Sequence, residues 1–242
     1  MTIVFLHPIG LDGESWERVG SAMDPDAVRY TLQWHGDRPP PPDPLSMASF
    51  ADDVAANVAG PFDVVGLSMG GAVAMELAVR HPERVRSLLV ACITAGGDGG
   101  DALRERADAV DADGMAGVLE STLERWFTPA ALADPHHPGV GYARQRLLAD
   151  HADSFAASWR ALAGNDVVHR LDRIRVPTTV VHAVEDASGP LASRQAIADG
   201  IPGARLVTVP GPHMVQLETP DAFDAAVVDH LEWARRIEGV RS

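Results

Sequence analysis

Gly66-Leu67-Ser68-Met69-Gly70 sets one hydroxyl between two glycines. It stands within "VVGLSMGGAVAMELA" (64–78), where an apolar β-branched run gives way to an alanine-rich segment. The spacing fits G-x-S-x-G, a sharp strand-to-helix turn that lifts a serine above the edge of a sheet. The glycines remove side chains that would clash as the chain doubles back, and the helix that follows brings its positive end beside the hydroxyl. Glycine-rich turns are common in α/β proteins, so the five residues alone do not establish catalysis. The strand before them and the helix after them strengthen that reading.

A serine hydroxyl is a weak nucleophile until a base takes its proton, and the base needs a carboxylate to hold its tautomer. The turn predicts the chain order serine, acid, histidine, with both partners at strand ends. Asp186 follows "PTTVVHAVE" and His213 follows "ARLVTVPGP", in that order. Glu185 is an alternative acid, and Asp98, after "VRSLLVACI", a more distant one. Of the other histidines, His81, His136, His137, His151 and His230 read as surface or satisfied core residues, and His136-His137 lacks further zinc-ligand spacing. His182 lies within a strand and reads as structural, while His35 and His169 lie in loops. Two amides are needed for the oxyanion of a tetrahedral intermediate. Met69 supplies one, directly after the serine; Ile9 supplies the other from "HPIGLDG" (7–13), since Pro8 has no N–H and Gly10 frees the loop. His7 reads as shaping this loop.

Positioning these groups requires a sheet. "TIVFL" (2–6), "VRYTLQ" (28–33), "FDVVGL" (62–67), "VRSLLVACI" (85–93), "PTTVVHAV" (177–184) and "ARLVTV" (204–209) read as strands, several apolar on both faces as in a covered parallel sheet. Segments 15–23, 46–59, 70–81, 191–200 and 219–237 carry helical period, with Ser46 as a cap and Pro82 as a stop. The alternation predicts a three-layer α/β fold with a mostly parallel sheet. "PPPPDP" (39–44) is a stiff surface connection. From "GGDGGD" (96–101) onward, "GMAGVLESTLERWF" (114–127) and "YARQRLLADHADSFAASWRALAG" (142–164) read as helix without a strand. Residues 98–165 are therefore expected to form a helical lid inserted into a core of 1–97 and 166–242, over the strand ends where α/β sheets bind ligands.

The 242 residues suffice for one buried core. With 20 basic against 34 acidic residues, net charge −14, the chain lacks the basic stripe nucleic acid requires. An anionic substrate would need a local arginine. The lone Cys92 forbids an intrachain disulfide and suits the cytoplasm; inside an apolar run, it reads as a small hydrophobe. "MTIVFLHPIG" is too short for a membrane span or signal peptide, and no metal or nucleotide motif is present, so no cofactor is expected.

Together, "FLHPIGLDGESW", "VVGLSMGGAVAMELA", "RIRVPTTVVHAVED" and "GARLVTVPGPHMVQLETPDAF" resemble the α/β-hydrolase superfamily over nearly the whole chain. Within it, the sequence is most similar to 3-oxoadipate enol-lactonases. The resemblance implies triad roles for Ser68, Asp186 and His213, oxyanion roles for Ile9 and Met69, and substrate contacts from Arg125 and Trp126 in "RWFTP". Arg125 would hold a substrate carboxylate and Trp126 give a flat apolar wall; the other reading is a surface arginine and a core tryptophan. Three departures stand out. The usual N-terminal β-hairpin is missing or shortened, opening a sheet edge to another chain and leaving a homo-oligomer open. Pro212 replaces a small residue before the histidine, and the second half of the lid diverges. The expected activity is a cofactor-free serine hydrolase opening a small lactone or ester. A carbon–carbon hydrolase or thioesterase, and a non-catalytic small-molecule receptor, are the alternatives.

Overall fold

Runs of β-branched and leucine residues with no polar face must be covered on both sides, and they occupy the centre of the sheet. The structure, a computed structural model, describes residues 2–19, 26–94 and 100–241. Its strands are β1 Ile3–Leu6, β2 Val28–Tyr30, β3 Phe62–Leu67, β4 Val85–Ala91, β5 Thr178–Ala183 and β6 Arg205–Val209. They form one sheet in the order β2-β1-β3-β4-β5-β6, and every pairing is parallel. Every residue of β1, β3 and β5 is buried, whereas the edge strands β2 and β6 are partly exposed.

Helix α1 (Met47–Asn57) starts at Ser46, whose hydroxyl accepts from the Ser49 amide while the Ser49 hydroxyl accepts from the Ser46 amide. Helix α2 (Met69–Arg80) follows β3 after a single residue, Ser68, and ends ahead of Pro82. Between β4 and β5 lie α3 (Gly100–Trp126), α4 (Pro129–Ala133), α5 (Pro138–Ala149) and α6 (Ala152–Ala163). After β5 and β6 come α7 (Leu191–Gly200), α8 (Val215–Glu218) and α9 (Pro220–Arg241). No helix of the described residues is long and apolar enough to cross a membrane.

The six predicted strands all form, β3 with the expected bounds and the other five shorter. β4 stops at Ala91 because Cys92 takes a positive φ of 54°. The helix expected over 15–23 appears as a 3-10 turn at Gly13–Trp16, and residues 20–25 lie outside the described residues. Helix α3 breaks at Gly114 (φ 65°, ψ 179°), where a helix start was expected. The single helix expected over 142–164 is two. Asp150 is extended (φ −76°, ψ 155°), its carboxylate paired with Arg146 one turn back, and α5 and α6 then pack separately on α3.

Candidate active site

Ser68 occupies the bend between β3 and α2 with φ 54° and ψ −120°, a region costly for any residue with a Cβ. The surroundings hold it there. Its amide donates to the Ala91 carbonyl at 2.9 Å, and its own carbonyl accepts from the Gly71 and Ala72 amides. Both flanking glycines are required by close approach: a Cβ on Gly66 would overlap the Gly70 carbonyl, and one on Gly70 would overlap the Leu6 carbonyl.

His213 stands between β6 and α8. Its Nε2 accepts from the Ser68 hydroxyl at 3.0 Å, and its Nδ1–H donates to Asp186 Oδ1 at 3.0 Å. Asp186 follows β5. Its Oδ1 also accepts from the Ser188 amide at 2.8 Å, and its Oδ2 accepts from Arg194 Nη2 at 2.5 Å. Ser68, Asp186 and His213 are all buried. Burial alone would raise the Asp186 pKa, but the His213 bond and charge, the Ser188 amide and Arg194 outweigh it and hold the carboxyl below its ordinary range. Glu185 is exposed, and Asp98 lies outside the described residues.

Met69 opens α2, so its amide is one of the orphan donors at a helix start. Ile9 lies in the loop that leaves β1, and Gly70 abuts the Leu6 and His7 carbonyls of that segment. His7 shapes the loop: its Nδ1–H donates to the Pro8 carbonyl at 2.8 Å, and its Nε2 accepts from the Leu32 amide at 2.9 Å. Burial and the neighbouring His35 push the His7 pKa well down, so the ring stays neutral in one tautomer. Gly10 beside Ile9 has φ 69°. Ile9 and Met69 are fully buried, and neither lines the cleft above Ser68.

That cleft above Ser68 is partly open to solvent. Ser68, His213, Cys92 and Ile93 form its floor at the strand ends. Leu103, Arg106, Arg125 and Trp126 from α3, with Trp159 and Leu162 from α6, form the opposite wall. Arg125 and Trp126 therefore both face the cleft. Arg106 stands 5.0 Å over the Trp159 ring, and Arg125 donates to Thr122 Oγ1 at 3.0 Å. Among the described residues, no carboxylate pairs with either arginine. Burial and the charge of Arg106 pull the Arg125 pKa down to about 10, and burial lowers Arg106. Both remain charged at neutral pH.

Sequence reasoning missed Arg106, Asn165 and Arg194. Asn165 lines the cleft with both amide atoms buried and unpartnered among the described residues. Cys92 is buried as expected, yet it also lines the cleft, and burial and Asp186 push its thiol pKa well up. Cys92, Asp186 and His213 form the one grouping of metal-ligating types among the described residues. Its carboxylate and imidazole atoms are already engaged with each other, Arg194 and Ser68.

Residues 3–226 match the alpha/beta hydrolase family. The chain belongs to that family. The hydrolase is 26% identical to 3-oxoadipate enol-lactonase 2 of Acinetobacter baylyi, over 93% of this chain and 86% of that one. It is 31% identical to a pimeloyl-[acyl-carrier protein] methyl ester esterase of Neisseria meningitidis serogroup B, over 85% and 82%. The enol-lactonase structure from Burkholderia xenovorans superposes with a TM-score of 0.89 at 26% identity, covering 96% of this chain and 91% of that one. The enol-lactonase-like resemblance read from the four motif segments stands. The hydrolase keeps its polar groups at the carboxyl ends of β3, β5 and β6, where an open parallel sheet binds ligands.

Proposed function

We propose that the hydrolase opens small lactones or carboxylic esters carrying an anionic group, through an acyl-enzyme on Ser68. The observation that carries this reading is the hydrogen-bonded relay from Ser68 through His213 to Asp186, opening on a cleft lined by Arg106 and Arg125, which no carboxylate among the described residues pairs with. Ser68 Oγ attacks the carbonyl carbon while His213 Nε2 takes its proton, and the imidazolium is stabilised by Asp186. The Met69 and Ile9 amides receive the oxyanion, each such donor lowering the barrier by about 3 kcal/mol. The carbon–oxygen bond breaks as His213 returns the proton to the leaving oxygen. Water, deprotonated by His213, then attacks the acyl carbon, releases the carboxylic acid and restores the serine.

Helices α3 and α6 act as the lid that selects the substrate. Trp126 and Trp159 give apolar walls, Arg106 and Arg125 hold a carboxylate, and Asn165 offers one donor and one acceptor to a neighbouring polar atom. Relatives described as an enol-lactonase and a methyl ester esterase support ester-bond chemistry. The test is a purified-enzyme screen of lactones, carboxylated esters, acyl thioesters and vinylogous diketones, with Ser68→Ala alongside. Turnover of lactones or esters that vanishes in the variant is expected. Undiminished turnover by Ser68→Ala, or activity confined to diketones, would overturn the reading.

A further inference from the structure

Asp186 has two carboxylate oxygens, and the relay uses only one. The other accepts from Arg194 Nη2 at 2.5 Å, in an ion pair whose side chains are both fully buried. Nη2 also donates to Ser188 Oγ at 3.1 Å, while the Ser188 amide donates back to Asp186 Oδ1 at 2.8 Å. Arg194 sits on α7, eight residues beyond the acid, so the loop from 186 to 190 is closed by the guanidinium it wraps. A Cβ at Gly189 would overlap Nη1, so a side chain there would push the guanidinium aside.

With donors on both oxygens, the Ser188 amide on Oδ1 and Arg194 on Oδ2, rotation of the carboxylate would break a bond, so Arg194 helps set the plane it offers to His213 Nδ1–H. A permanent cation also shares its charge. Among the described residues, three other titratable groups face the carboxylate: His213, His182 from β5 and Cys92 after β4. Burial and Arg194 lower the His182 pKa, and burial keeps the Cys92 thiol protonated. Among the described residues, Arg194 is therefore the permanent cation behind the relay.

We propose that Arg194 is a positioning residue for Asp186: it orients the carboxylate that His213 leans on and shares that carboxylate's charge. This rests on the relay reading above. An imidazolium beside an unshared carboxylate would form more readily, so losing Arg194 shifts the onset of activity toward higher pH.

The experiment compares kcat/KM against pH for the wild type, Arg194→Gln, Arg194→Met, Arg194→Lys and Ser68→Ala, by pH-stat on phenyl acetate. Circular dichroism melts establish which variants fold. In the neutral variants the acidic limb is expected to move up by roughly one pH unit, with kcat down about tenfold. Arg194→Lys is expected to keep the limb of the wild type. A folded neutral variant whose limb stays put makes the arginine merely structural and overturns the proposal. So does a folded Lys variant whose limb moves up by roughly one pH unit from that of the wild type, a readout that decides the case even if neither neutral variant folds. Wild-type turnover by Ser68→Ala would instead overturn the relay reading itself, whatever Arg194 does.

Discussion

Gly70, the first turn of α2, packs directly on the carbonyl of Leu6, the last residue of β1. The contact ties the serine bend to the loop carrying Ile9. Adding one methyl group at residue 70 forces either β1 or α2 to move, and both candidate oxyanion donors sit on the elements that would shift. Gly70→Ala should therefore cost about 1–3 kcal/mol of stability, seen as a melting point lower by several degrees. It should cost about a hundredfold in kcat, because small misplacements are expensive at a reacting centre. An alanine variant that melts lower but keeps full kcat would separate the bend from the chemistry.

The serine bend and its partners were legible because their signals are local. Glycines on either side of Ser68, and Asp186 and His213 just past β-branched runs, report backbone constraints that neighbours in sequence impose. Arg194 and Asn165 carry no such mark. Each lies at or near a helix end like any other polar residue, and its partners come from tertiary closure. The break between α5 and α6 was hidden for a related reason: Asp150 sits in unbroken helical period, and its extended conformation and its pairing with Arg146 come from tertiary packing. Cys92 was read as buried, but its place beside the relay depends on where β4 ends.

Two cations on one wall of the cleft, neither paired with a carboxylate among the described residues, repel each other and would be relieved by a bound anion. Arg106→Gln and Arg125→Gln should each raise KM for a carboxylated ester by roughly tenfold or more, the worth of one charge-assisted hydrogen bond. A neutral ester of the same shape should show little change in KM. Equal effects on the two substrates would mean that the arginines shape the wall of the cleft rather than recognise charge.

Stability should fall in mild acid. Burial lowers the pKa of His7 well below its ordinary value, and brings those of His35 and His230 to about 4. In the unfolded chain these rings protonate near pH 6.5. Their contribution is thus complete above about pH 6.5 and is lost as pH falls toward 4, at up to about 1.4 kcal/mol per pH unit for each ring. Asp150 works the other way, its pKa raised to about 6 by burial, but the lowered rings outnumber it. His230, bonded to Thr179 and Ser87, is the simplest to remove. Urea unfolding of His230→Gln across this range should show a pH slope shallower by about one proton; an unchanged slope would mean that this ring titrates normally in the fold.

Asn165 offers a case where stability and function should part. A buried amide without partners costs about 1–3 kcal/mol, and leucine has similar bulk with nothing to satisfy. Asn165→Leu should raise the melting point by a few degrees. The same change removes a donor and an acceptor from the cleft, so KM for the best ester found in the screen should rise severalfold while kcat changes less. If the leucine variant instead melts lower and binds substrate as well as the wild type, the amide is serving the fold, and the polar corner of the cleft has no part in recognition.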